Sequence, residues 1–204
     1  MPLDGSACLP VGGGSVAVYG TPVVLSAGGT SLLAATGAQV RYQLSTSLSV
    51  GLDGGAAFLL DNGLVGYSGR LSARYNPSSD NFALRVGLGS WHDTTKLNVS
   101  EPLLQFGTLD LGATYSFYTA AQGTEIYIGG TSALGFFLER GSSIEPTGYL
   151  GGSLGVLSAA DSPLQVGADV SVLAGGCLDG CGNGASIYSG FTLQLRYLFG
   201  IGRL

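Results

Sequence analysis

Apolar and polar residues alternate strictly in segment after segment of this chain, and clusters of turn formers separate the segments. Both observations predict an all-β fold built as an up-and-down meander. A third, the scarcity of charge, predicts that the meander closes on itself in a membrane. The expected architecture is a single closed, antiparallel, up-and-down transmembrane β-barrel of about ten strands, with eight or twelve as the alternatives.

Each strand rests on its own alternation. Residues 14–26 form the first and least regular candidate. Val40, Tyr42 and Leu44 then oppose Gln39, Arg41 and Gln43, and Leu48, Val50, Leu52 and Phe58 oppose Ser49, Gly51, Asp53 and Gly55. Val65, Tyr67, Leu71 and Tyr75 oppose Ser68, Arg70, Ser72 and Arg74; Phe82, Leu84, Val86 and Leu88 oppose Arg85, Gly87 and Gly89. Leu109, Leu111, Ala113, Tyr115 and Phe117 oppose Asp110, Gly112, Thr114 and Ser116. Ile126, Ile128, Leu134 and Phe136 oppose Glu125, Gly129, Thr131 and Gly135. The last three candidates set Leu150, Leu154 and Val156 against Gly151, Ser153 and Gly155, Leu164–Val172 against Gln165–Ser171, and Phe191–Phe199 against Thr192, Gln194 and Arg196. Period two sends alternate side chains to opposite faces.

Short links rich in turn formers, "STS" (45–47), "NPSSD" (76–80), "TAAQG" (119–123) and "AADSP" (159–163), alternate with longer ones. The second, mostly longer set is "LDNGL" (60–64), "HDTTKLNVSEP" (92–102), "ERGSSIEPT" (139–147) and "GGCLDGCGNGA" (175–185). Residues 1–13 read as an N-terminal tail or lumen plug, 14–200 as the barrel and 201–204 as a C-terminal tail.

Composition decides which face is inside. The 204 residues include 36 Gly, 45% apolar residues and only 10% charged ones, and mean hydropathy is +0.37. A soluble domain carries about a quarter charged residues. Nine charges fall within strands: Arg41, Asp53, Arg70, Arg74, Arg85, Asp110, Glu125, Asp169 and Arg196. All lie on the Gly/Ser/Thr face, an arrangement that random siding gives roughly once in 500 trials. A soluble fold would offer this sparse face to water and bury the other. A membrane barrel does the reverse, with charges paired in a sheltered interior. Tyr42, Tyr75, Phe82, Tyr115, Phe117, Tyr197 and Phe199 cluster toward the short-turn end, as an aromatic rim at lipid headgroups requires. Tyr118 and Tyr127 are read as further rim anchors.

The chain therefore resembles the small bacterial outer-membrane β-barrel proteins, in the broad OmpA-like or porin-like class. Its last strand carries the resemblance most directly: Gly190, the alternating Phe191, Leu193, Leu195 and Tyr197, and a closing Phe199, although "GIGRL" follows where the aromatic is ordinarily final. The resemblance implies outer-membrane localisation, surrounding outer-membrane lipid, and recognition by the barrel-assembly machinery, with other envelope proteins as further partners.

Other classes are excluded or left without support. A net charge of −5 with Lys96 as the single lysine offers no basic patch for nucleic acid. No helical span is visible, and no Lys or Arg precedes Arg41, so no signal peptide is expected and the chain reads as a mature form. Cys177 and Cys181 in "CLDGC" are spaced for a small loop disulfide, with free thiols or half a metal site as alternatives; Cys8 is left over. No metal site and no cofactor are expected. The only histidine, His92 in "SWHDTT", reads as a solvated loop-edge residue at the end of a strand, so the chain is not expected to be an enzyme; an outer-membrane enzyme using His92 is the third and least favoured alternative. A barrel this narrow is either filled by Arg and Tyr side chains or holds a thin water path along glycine. The first reading makes it a structural or interaction component of the envelope. The second makes it a narrow pore, whose acidic loops would favour cations.

Overall fold

The computed structural model describes residues 11–26, 30–59, 63–77, 81–93, 106–119, 123–137, 145–158, 163–177 and 186–200. Ten strands run through them: β1 (Gly14–Ser26), β2 (Thr30–Gln43), β3 (Leu48–Leu59), β4 (Gly63–Tyr75), β5 (Phe82–Asp93), β6 (Phe106–Thr119), β7 (Thr124–Phe137), β8 (Glu145–Leu157), β9 (Leu164–Cys177) and β10 (Ser186–Phe199). Each pairs antiparallel with its chain neighbour, and β10 returns to β1 from Gly14↔Phe199 to Ser26↔Ile187, so the sheet closes without an edge. Closure satisfies every strand's backbone groups internally, the condition for crossing lipid.

The strands are 12 to 14 residues long. At about 3.3 Å per residue and a tilt of about 40°, they span roughly 30–35 Å, close to the thickness of a membrane's hydrocarbon core. The short links are built locally. The Ser45 Oγ accepts the Leu48 amide at 3.1 Å, and the Asn76 amide group donates to the Phe82 carbonyl at 3.1 Å. The strand ends that the short links join share one end of the barrel with Gly14, where β1 begins, and Phe199, where β10 closes. In outer-membrane barrels the short-turn end faces the periplasm. We term it the lower end, and the opposite one the upper end.

The alternation expected from sequence holds in three dimensions. Leu52, Leu88 and Leu150 are 61%, 61% and 70% exposed, as are most large apolar strand residues, while their polar neighbours are buried. An apolar band around a whole cylinder has no counterpart among water-exposed surfaces, where patches rarely exceed a few hundred Å². It is a surface for lipid.

Strand boundaries differ from expectation at the upper end. Residues 30–38 belong to β2, although the sequence shows no alternation there. "LDNGL" shrinks to a link of 60–62 because Gly63 and Leu64 already pair with Leu59 and Phe58. Strands also extend through 90–93, 106–108, 145–149, 173–177 and 186–189.

Candidate functional site: the barrel interior

The nine strand charges, Arg41, Asp53, Arg70, Arg74, Arg85, Asp110, Glu125, Asp169 and Arg196, are all buried inside the cylinder, none more than 9% exposed. They stand in its lower half and middle. The best-defined cluster crosses β3 to β6. Asp53 and Arg70 are direct cross-strand partners, and the Arg70 Nε and Nη2 reach the Asp53 Oδ2 at 3.0 and 2.9 Å. The Arg70 Nη1 also lies 3.7 Å from the Asp110 Oδ1, which the Arg85 Nη2 approaches at 3.4 Å.

Arg70 and Asp110 sit two strands apart, so the intervening β5 must leave space. Gly87 and Gly89 supply it: a Cβ at Gly87 would strike the Asp110 carboxylate, and one at Gly89 would strike Thr108. Arg85 in turn lies across Gly112. The glycines of this face are where neighbouring side chains lie flat. Burial strengthens each ion pair and makes each charge dependent on its partner.

Sequence reasoning put the polar face inside but missed Tyr19 and Tyr127 in the filling. Tyr127 is fully buried and lies against Gly155 on β8, so it is an interior residue and not the rim anchor expected. It shares the inward parity of Glu125, and proximity to a turn does not override that parity. Glu125 accepts a hydrogen bond from the Ser116 Oγ, and the Thr21 Oγ1 donates to the Thr192 Oγ1 at 3.0 Å. Tyr19 occupies the space over Gly37 and Gly55. Gln39, Gln43, Gln165 and Gln194 are buried beside them. Together these side chains form a belt across the lower half.

Of the aromatic rim, Tyr42, Tyr75, Tyr115, Phe117 and Tyr197 are exposed on the outer face, with Tyr115 and Phe117 in edge contact at 4.8 Å. Phe82 and Phe199 are partly exposed, and the Phe199 ring packs over Gly14 at the β1–β10 seam. Phe58, Tyr67 and Phe136 are exposed toward the upper end, so aromatic rings mark both ends of the band.

His92 is not solvated. Near the upper end of β5 it is 5% exposed, and its ring stacks on Tyr67 across the strand pair at 4.8 Å. Its two nitrogens have no hydrogen-bond partner among the described residues. No cluster of metal-binding side chains occurs among the described residues. The candidate disulfide lies outside them, since Cys181 and the Cys177 side chain are not described; the same is true of Cys8, most of the N-terminal tail and residues 201–204.

No protein-family model and no curated protein sequence matches the chain. Solved structures do. An outer-membrane channel from Pseudomonas putida F1 is 15% identical, with 97% of this chain and 98% of that one covered and a TM-score of 0.50. Neisserial surface protein A is 16% identical (90% and 96% covered, TM-score 0.47), and the outer-membrane protease OmpT from Escherichia coli is 10% identical (92% and 96%, TM-score 0.43). At these identities the likeness is one of fold. That fold, a closed ten-strand antiparallel barrel with an apolar outer band, is the one this chain shares with the outer-membrane channel.

Proposed function

We propose that this barrel is a non-conducting structural and interaction component of the cell envelope, held in the outer membrane by its apolar band. The observation that carries the reading is the belt in the lower half. Asp110, Ser116, Thr192 and Tyr127 are 0% exposed and Asp169 is 1%, with arginines from β2, β4, β5 and β10 buried around them. Moving an ion through this belt means displacing paired, buried charges whose separation costs several kcal/mol. Outer-membrane lipid is the barrel's solvent. The alternating β10, with Phe199 at its close, suits the barrel-assembly machinery, and other envelope proteins are the proposed partners of the upper loops.

A second reading, a narrow pore, draws support from one feature. Gly55, Gly89, Gly112 and Gly129 face inward and are only partly buried, leaving a thin strip along β3–β7. No enzymatic role is proposed for His92, whose visible neighbour is an aromatic ring.

Planar-bilayer recording of the purified full chain separates the two. The closed reading predicts no discrete conductance steps in the native protein and their appearance when Arg70 and Tyr127 are both changed to Ala. Cation-selective steps in the native protein would overturn it in favour of the pore.

A further inference from the structure

The interior changes character along its length. In the lower half the inward positions carry Arg, Asp, Glu and Gln. In the upper half the same faces carry Val23 (β1), Leu33 (β2), Trp91 (β5), Tyr149 (β8), Leu173 (β9) and Tyr188 (β10).

Register fixes their direction. Val23 pairs with Leu33, one step along from the outward Val24 and Leu32, which are 39% and 47% exposed. Trp91 packs over the inward Gly66, Leu173 lies over Gly151, and Tyr149 over Gly175. Tyr149 and Tyr188 meet edge-on at 6.3 Å. No charged side chain stands among the described inward positions of this half.

These side chains are not packed to closure. All six are partly exposed, and so are Ala35, Thr108, Thr131, Ala133 and Ser171 around them. Side chains that point into a barrel yet meet solvent border a space at least as wide as a water molecule. Below, the space ends on the belt: Thr21 is 8% and Thr192 0% exposed.

We propose that the upper half of the barrel is a binding vestibule for a small, uncharged aromatic molecule. Aliphatic and aromatic walls favour an apolar guest by removing its surface from water. Trp91 faces the wall that holds Tyr149, Leu173 and Tyr188, so a planar ring entering the space can take stacked or edge contacts. A charged guest would be desolvated beside walls that offer no counter-ion among the described residues, and is disfavoured there. The hydroxyls of Thr108, Thr131 and Ser171, with those of Tyr149 and Tyr188, suit a guest with one polar group. This site is independent of whether the belt below conducts.

Trp91 is the only tryptophan, which makes it a reporter inside the site. Full-length protein in phospholipid nanodiscs is titrated with 4-bromophenol, neutral at pH 7 and a heavy-atom quencher of indole. The proposal predicts saturable quenching, at least tenfold weaker in half-saturation for Leu173→Gln, and blocked by Ala35→Phe, which fills the space. Dibrominated lipids, confined to the outer face, should leave Trp91 fluorescence unchanged. Each variant's fold is checked by its compact migration on unheated gels, and two variants guard against failure of either. Quenching that rises linearly without saturation, or identically in all three proteins, overturns the proposal.

Discussion

Asp110 is where the interior can be tested most sharply. It is fully buried on β6, faces Gly87, and lies 3.7 Å from the Arg70 and 3.4 Å from the Arg85 guanidinium. Asp110→Asn keeps the shape and removes the charge. Breaking a buried ion pair by removing one partner costs about 3–5 kcal/mol, because the other charge stays desolvated. Arg70 retains Asp53 at 2.9 Å, so the expected cost is at the low end, about 3 kcal/mol. Urea unfolding of the barrel in lipid vesicles, followed by Trp91 fluorescence, measures it. The paired replacement Asp53→Leu with Arg70→Met removes both charges of one bridge and should cost less than Arg70→Met alone, which leaves Asp53 without its Arg70 partner while Asp110 keeps Arg85. Asp110→Asn within 0.5 kcal/mol of the native protein would refute a desolvated, charge-dependent interior.

Two further outcomes follow from the same geometry. Gly155→Ala should destabilise by about 1–3 kcal/mol, since the new methyl meets the buried Tyr127 ring; Gly20→Ala, with nothing within 4 Å of its added Cβ, should be near neutral in the same unfolding assay. Leu71→Arg, outward and mid-strand between Leu52 and Leu88, should cost about 2–4 kcal/mol in a bilayer, and a cost near zero would place that face outside the hydrocarbon.

The lower half of the barrel was legible in the sequence because its two faces differ. Arg70, Ser72 and Arg74 alternate with Leu71, Ala73 and Tyr75, and the period is visible without any other information. The upper parts of β2, β8, β9 and β10 were not. In β2 the inward Leu33 and Ala35 sit beside the outward Leu32 and Ala34, so apolar residues meet apolar ones and the period vanishes. The same loss of contrast hid the upper parts of β8, β9 and β10, where Tyr149, Leu173 and Tyr188 point inward. The missed strand residues and the proposed vestibule thus have one cause. Tyr127 and His92 failed for another reason: proximity to a turn was weighed above parity for the first, and a cross-strand stack on Tyr67 cannot be read from one segment for the second.

The orientation of the faces can be measured directly on β4. With Cys8, Cys177 and Cys181 replaced by Ser, single nitroxide labels are placed in turn at positions 70 to 75 of the protein in lipid bilayers. Collisional relaxation by oxygen, which concentrates in hydrocarbon, should peak at 71, 73 and 75 and fall at 70, 72 and 74. Equal oxygen access at both sets, or strong relaxation of 71 by a water-soluble nickel chelate, would contradict a cylinder with lipid outside and charge within.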